Sequence, residues 1–152
     1  MRMSDTLQRI KTDLTEALKA GDTVLALTLR YLLSEIHNAE IAKGRDATLT
    51  EEELVDLFQK QAKQRRESIE AYEKGNRGDL ADKEKAELKI IQSYLPEQMG
   101  EDEIRKLVEE AVSQTGAAGI SDMGKVMASL MPLVRGKADG SLVSRLVQER
   151  LS

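Results

Sequence analysis

Cysteine and tryptophan are absent from these 152 residues; there is one phenylalanine, Phe58, one histidine, His37, and two prolines, Pro96 and Pro132. Without cysteine there are no disulfides, thiol nucleophiles or thiolate metal sites. A single histidine excludes two-histidine zinc sites and falls short of the pair that a di-metal carboxylate bundle uses. Aromatics make up only 3% of the chain, so the core is aliphatic and methionine-rich, which suits packed helices better than a β-sandwich. Two prolines are too few for the turn chemistry of an all-β protein. No apolar run approaches the ~18 residues of a membrane span. The opening MRMSDTLQRIKTDL lacks the apolar segment of a secretory signal. Together these features predict a cytoplasmic protein that does not engage membranes. A net charge of −4 argues against coating DNA non-specifically but leaves room for a local basic patch.

What is present is helical periodicity. Leu7, Ile10, Leu14, Ala17 and Leu18 recur at spacings of three and four, and Gly21 closes that stripe. Asp22 is placed to cap a long second segment, whose main stripe is Leu25, Leu29, Leu32, Ile36 and Ala39 before Gly44. This segment is apolar on more than one face, which predicts the central helix of its domain. Thr50 and Glu53 form a capping box, the clearest helix start in the chain, and Leu54, Phe58, Ala62, Ile69 and Tyr72 follow one face to Gly75. After GNRGD, where Gly78 and Asp79 serve as loop and cap, a fourth helix carries Leu88, Ile91 and Leu95 until Pro96 stops it. Three shorter helices follow, in EDEIRKLVEEAVSQTG, SDMGKVMASLM and DGSLVSRLVQERL. The expected fold is all-α: an N-terminal bundle of about four helices over residues 1–96, and a small three-helix domain over 97–152.

Few motifs carry chemistry. GISDMGKV, residues 119–126, comes within one residue of a phosphate-binding loop, but Val126 cannot hold magnesium and no strand precedes it. It is read as a helix start, with Ser121 as cap and Met123, Val126, Met127 and Leu130 as the buried stripe. His37, with Glu40 three residues on, is a polar residue on the second helix. No Ser/His/Asp set assembles around it. No catalytic residue, metal site or cofactor is assigned. Arg65 falls on an otherwise apolar stripe, so an acid from a neighbouring helix is expected beside it. In MPLVRGKADG, Pro132 and Gly136 are expected to interrupt a helix, with Arg135 and Lys137 projecting from the break and Asp139 capping the next one. This turn is either a phosphate-holding element or an ordinary helix–helix connection with surface charges.

NAEIAKG, KQRRESIEAYEKGNRGDLADKEKAE, SYLPEQM and DMGKVMASLMPLVRGKADGSLV resemble, in order and over nearly the whole chain, the YqeY proteins. These are similar to the C-terminal tail of GatB, the B subunit of the tRNA-dependent glutamine amidotransferase. The resemblance implies a helical domain joined to a small three-helix domain, and a role in tRNA recognition as a non-catalytic accessory module. Lys125, Arg135, Lys137, Arg145, Lys63 and Arg66 would then contact phosphates, and Gly124, Gly136 and Gly140 would let the backbones approach. Two positions depart from the family pattern. Gly100 stands where Ser or Thr is common before the acidic triplet. Lys137 stands where Arg is usual, which keeps the charge but loses a bidentate grip. An alternative is a protein-interaction module for an aminoacyl-tRNA synthetase or amidotransferase component, using a face around Met123, Met127 and Met131. The family's label as a carbon–nitrogen ligase with glutamine as amide donor finds no nucleophile or nucleotide site in these residues.

Overall fold

The computed structural model describes residues 4–152; the first three residues of the opening stretch lie outside them. Among the described residues there are seven α-helices and no strand. The chain divides into two compact units, residues 1–95 and 96–152, each with its own core.

The first unit holds α1 (Asp5–Ala20), α2 (Thr23–Lys43), α3 (Glu51–Lys74) and α4 (Gly78–Gln92). Its boundaries are set by side chains that satisfy the helix-end amides. Ser4 Oγ accepts from the Leu7 amide, and Asp22 accepts from Leu25. Thr50 and Glu53 exchange both bonds of the capping box. Lys43 Nζ, 2.6 Å from Glu53 Oε1, ties the end of α2 to the start of α3. Gly21 ends α1 at φ 72°, a left-handed conformation that glycine adopts without steric cost.

Three local expectations change. Asp79 does not cap α4; it lies within its first turn and pairs with Arg77 at 3.1 Å. The helix ends at Gln92, ahead of Pro96, because Ser93 Oγ donates to the Ile90 carbonyl and the chain turns there. Leu18 is half exposed, because the buried residues of α1 are Ile10 and Ala17.

Leu29, Leu32 and Ile36 of α2, Leu54, Phe58 and Ala62 of α3, and Ile91 of α4 meet around Ile10 to form the first core. α3 and α4, joined by a short turn, pack along each other as a hairpin, and α1 packs on α2. Arg65 is held among carboxylates, as its place on the stripe requires. Its Nε lies 2.8 Å from Glu87 Oε2 and 3.3 Å from Glu84 Oε2, both on α4, and its guanidinium sits 5.0 Å from the Tyr31 ring centroid. Removing it leaves two half-buried acids facing each other. Arg65→Ala should therefore lower stability by roughly 2 kcal/mol, read as a lower urea midpoint at unchanged slope.

Tyr94, which the sequence pattern does not mark, closes this core. Its ring lies 6.3 Å from Phe58 and beneath Arg9, whose guanidinium is 4.5 Å from the centroid; its hydroxyl donates to the Asp13 carboxylate. Burial first, then the bond to Asp13, push the Tyr94 pKa well above the ordinary 10.0. A raised folded value favours the neutral phenol. Its contribution to stability is complete below the ordinary value and is lost as pH rises toward the folded one. In an alkaline titration of phenolate absorbance, one tyrosine should ionise only as the chain unfolds, and Tyr94→Phe should remove that phase.

The second unit holds α5 (Glu101–Thr115), a single 3₁₀ turn (Ile120–Asp122), α6 (Met123–Val134) and α7 (Gly140–Leu151). Ile104, Val108, Val126, Leu130, Val134, Val143, Leu146 and Val147 interlock as a second, wholly aliphatic core. Ser121 makes no cap bond; Asp122 precedes α6, and its carboxylate reaches back to the Ala118 amide at 2.9 Å. Pro132 does not interrupt α6, which runs through it to Val134. The missing proline N–H falls in the last turn, where the freed carbonyl would belong to exposed Ala128.

Candidate nucleic-acid interface

The α6–α7 connection is five residues long, and two of its carbonyls are held by residues outside α6 and α7. Gly136 is buried and lies at φ 77°, the left-handed position that ends a helix. The Lys137 and Ala138 amides donate back to the Val134 carbonyl at 2.9 and 3.0 Å, closing the end of α6. The segment that opens the second unit grips the far side. Gln98 Nε2 donates to the Gly136 carbonyl at 2.9 Å and to the carbonyl of Pro96, two residues back, at 2.7 Å. One residue on, the Met99 amide donates to the Lys137 carbonyl at 2.8 Å. Asp139 then caps α7 by accepting from the Ser141 amide at 3.0 Å. PEQM and RGKAD, distant in sequence, form one hydrogen-bonded clasp.

The clasp fixes the backbone beneath Arg135 and Lys137, whose side chains are both exposed. These two share the turn. Arg145 lies within α7, roughly 8 Å of helical rise beyond Gly140, with Nη2 3.6 Å from Glu101 Oε1 on α5. Lys125 stands at the opposite end of α6, about 15 Å of rise from Arg135, and 3.9 Å from Asp122. Asp122 itself is held below the usual carboxylate range, first by the Ala118 amide bond and also by Lys125. Lys63 and Arg66 are half-buried on α3 of the other unit, and each, like Arg135, already has an interaction within the chain. Of these six, only Arg135 and Lys137 share one turn.

The three glycines differ. Gly136 is required by its φ. Gly124 and Gly140 are exposed, and a Cβ on either would meet nothing within 4 Å, so packing does not demand glycine there. The Asp139 carboxylate already occupies the positive end of α7, so an anion at this turn would be held by side chains rather than by the helix terminus. Met123 and Met127 pack against the second core, whereas Met131 and Leu133 are exposed beside Arg135. Gln98 and Met99 escaped the sequence reading. The signal available was a polar amide one turn ahead of a helix, in a block that otherwise shows no periodicity. His37 is exposed on α2, and no cluster of metal-ligating side chains occurs among the described residues.

The class so defined is an all-helical protein of two units, with a basic turn clasped by the segment leading into the second unit. The family model described as Yqey-like protein matches residues 7–151, and the chain belongs to this family. It is 35% identical over 146 residues to altered inheritance of mitochondria protein 41, mitochondrial, of Pyrenophora tritici-repentis; the match takes in 94% of this chain and 79% of that protein. Proteins of the same name from Lachancea thermotolerans and Eremothecium gossypii are 45% and 41% identical over 92 residues. These two matches cover 60% of this chain and about half of each relative, 48% and 50%. The relatives' names overturn the cytoplasmic expectation, because all three are called mitochondrial. The features behind that expectation do not separate the compartments: lacking a secretory apolar segment says nothing about organelle import, which relies on a different signal.

The clasp makes a stability prediction. Gln98→Ala removes two donor bonds and should lower the stability of the second unit by about 1–2 kcal/mol. Gly136→Ala, at positive φ and buried, should lower it by roughly 1–2 kcal/mol or more. Amide exchange of residues in α6 and α7 would report both.

Proposed function

We propose that this chain is a non-catalytic RNA-binding accessory protein that engages the phosphate backbone of tRNA through the α6–α7 turn. The observation that carries this reading is the clasp. It fixes the turn that carries Arg135 and Lys137, both exposed, leaving its backbone little to order on binding, and preorganisation of this kind raises affinity without new contacts. Arg145 extends the surface along α7, in competition with Glu101. With so few aromatics, recognition rests on shape and phosphates rather than base stacking. Lys125, Lys63 and Arg66 are secondary candidates, since none shares the turn. The relatives' names point to mitochondria as the compartment of action.

A second reading is docking to a synthetase or amidotransferase component at the same end of α6, favoured by the exposure of Met131 and Leu133 beside Arg135. Titration into tRNA at several salt concentrations separates the two. If about three phosphates are engaged, the log–log slope is near −3, and it falls toward about −1 in Arg135→Ala/Lys137→Ala. Absence of tRNA binding at low salt, with a protein partner captured through Met131 and Leu133, would replace the first reading by the second.

A further inference from the structure

Two arginines from different helices converge on one carboxylate beside the clasp. Glu101 opens α5. Its Oε1 accepts a hydrogen bond from Arg105 Nη2 at 2.9 Å, one turn along the same helix, and lies 3.6 Å from Arg145 Nη2 on α7. The clasp sets where they meet. The Met99 amide is bonded to the Lys137 carbonyl, and Glu101 follows two residues later, at most about 7 Å of chain away. The carboxylate that gathers the two arginines is therefore rooted next to the turn that carries Arg135 and Lys137. Gly100, the N-cap of α5, makes no side-chain cap bond, and Glu101 also suits the positive end of that helix.

As this face of α5 and α7 stands, its charges cancel. Arg105, Arg145 and Arg150 meet Glu101, Glu149 and Glu109: Arg105 is also 3.5 Å from Glu149 Oε2, and Arg150 donates to Glu109. The Glu101 pairing differs from the others, because two guanidinium groups serve one oxygen. Paired guanidinium groups are also how proteins grip phosphate. A phosphodiester carries the same single charge on two free oxygens, so it suits the same forks. The three side chains are about half exposed, Arg105 by 50%, Arg145 by 58% and Glu101 by 48%. Ion pairs so exposed contribute little to stability, and an arriving anion can replace them.

We infer that Glu101 is an internal stand-in for phosphate, and that Arg105 and Arg145 together take one RNA phosphate when it displaces that carboxylate. This rests on the tRNA-binding reading proposed above and adds two residues to its surface, Arg105 as a contact and Glu101 as a competitor. The competition acts as a filter. An isolated anion has to displace Glu101 at its own concentration in solution. A strand already anchored on Arg135 and Lys137 delivers a neighbouring phosphate at the high effective concentration of an intramolecular step. Glu101 thereby favours a ligand that reaches both the turn and the arginine pair.

The test is titration of the full chain with unfractionated tRNA at about 0.15 M salt, where exposed charges more than about 8 Å apart are largely screened. Glu101→Gln keeps the shape and removes the charge, and it should tighten binding about three- to fivefold. Arg105→Ala should weaken it about threefold or more. The decisive comparison is a mutant cycle. In Arg105→Ala/Arg145→Ala, Glu101→Gln should leave affinity nearly unchanged, because the groups it competes for are gone. Glu103→Gln removes the same charge from an exposed residue in the same turn of α5 and should also have little effect. All the replaced side chains are exposed, so the variants should keep the wild-type melting curve. Affinity unmoved by Glu101→Gln, a gain matched by Glu103→Gln, a gain that persists without the two arginines, or wild-type affinity in Arg105→Ala would each overturn the proposal. If Arg135→Ala/Lys137→Ala still weakens binding in such a case, the tRNA-binding reading stands without this one. A wild-type chain that binds no tRNA ends both.

Discussion

The Met99 amide donates to the Lys137 carbonyl, and Gln98 donates to the carbonyl of Gly136. On these two bonds depends the geometry of everything charged at the α6–α7 turn. A helix–helix connection with its own polar groups left to water would fluctuate, and the side chains it carries would sample many positions. Here the segment entering the second unit supplies the missing donors. Gly136 makes this possible, because at φ 77° it ends α6 and turns its carbonyl toward Gln98. A β-carbon there would oppose the left-handed backbone.

The clasp also matters for the second unit as a small folding unit. Residues 96–152 build an aliphatic core from three short helices, and cores of this size leave a thin margin of stability. Bonds between residues 98–99 and 136–137 close a long loop around that core. They convert two irregular segments, neither of which buries much apolar surface, into a defined edge. The first unit solves its own problem differently. It relies on end caps, on the Lys43–Glu53 tie and on Arg65 held by Glu84 and Glu87.

Much of the helix layout was legible because it rests on local rules. Gly21, the Thr50–Glu53 box and the 3.6-residue stripes of α3 and α5 act within a turn or two of chain. What was not legible depends on contacts distant in sequence. Pro132 stays helical because it falls in a final turn whose bonds end nearby. Ser121 yields its capping role because Asp122 reaches back to Ala118, a loop geometry that no spacing rule describes. Tyr94 enters the first core from beyond the end of α4, where periodicity has stopped. The apolar width of α2 was visible, but whether a neighbour covers its second face is a tertiary fact. For the candidate site, Arg135, Lys137 and Gly136 could be named from one block, and their support from Gln98 and Met99 could not. Lys125, placed with them by sequence, stands at the other end of α6.

Preorganisation of the basic turn is the central claim, and the tRNA affinity of Gln98→Ala tests it most directly. This substitution changes no charge and leaves Arg135, Lys137 and Arg145 in the chain. If the clasp presents those side chains to phosphate, affinity should fall by about tenfold while the salt slope stays that of the wild type. An affinity equal to the wild type, in a variant whose second unit remains folded, would contradict the account.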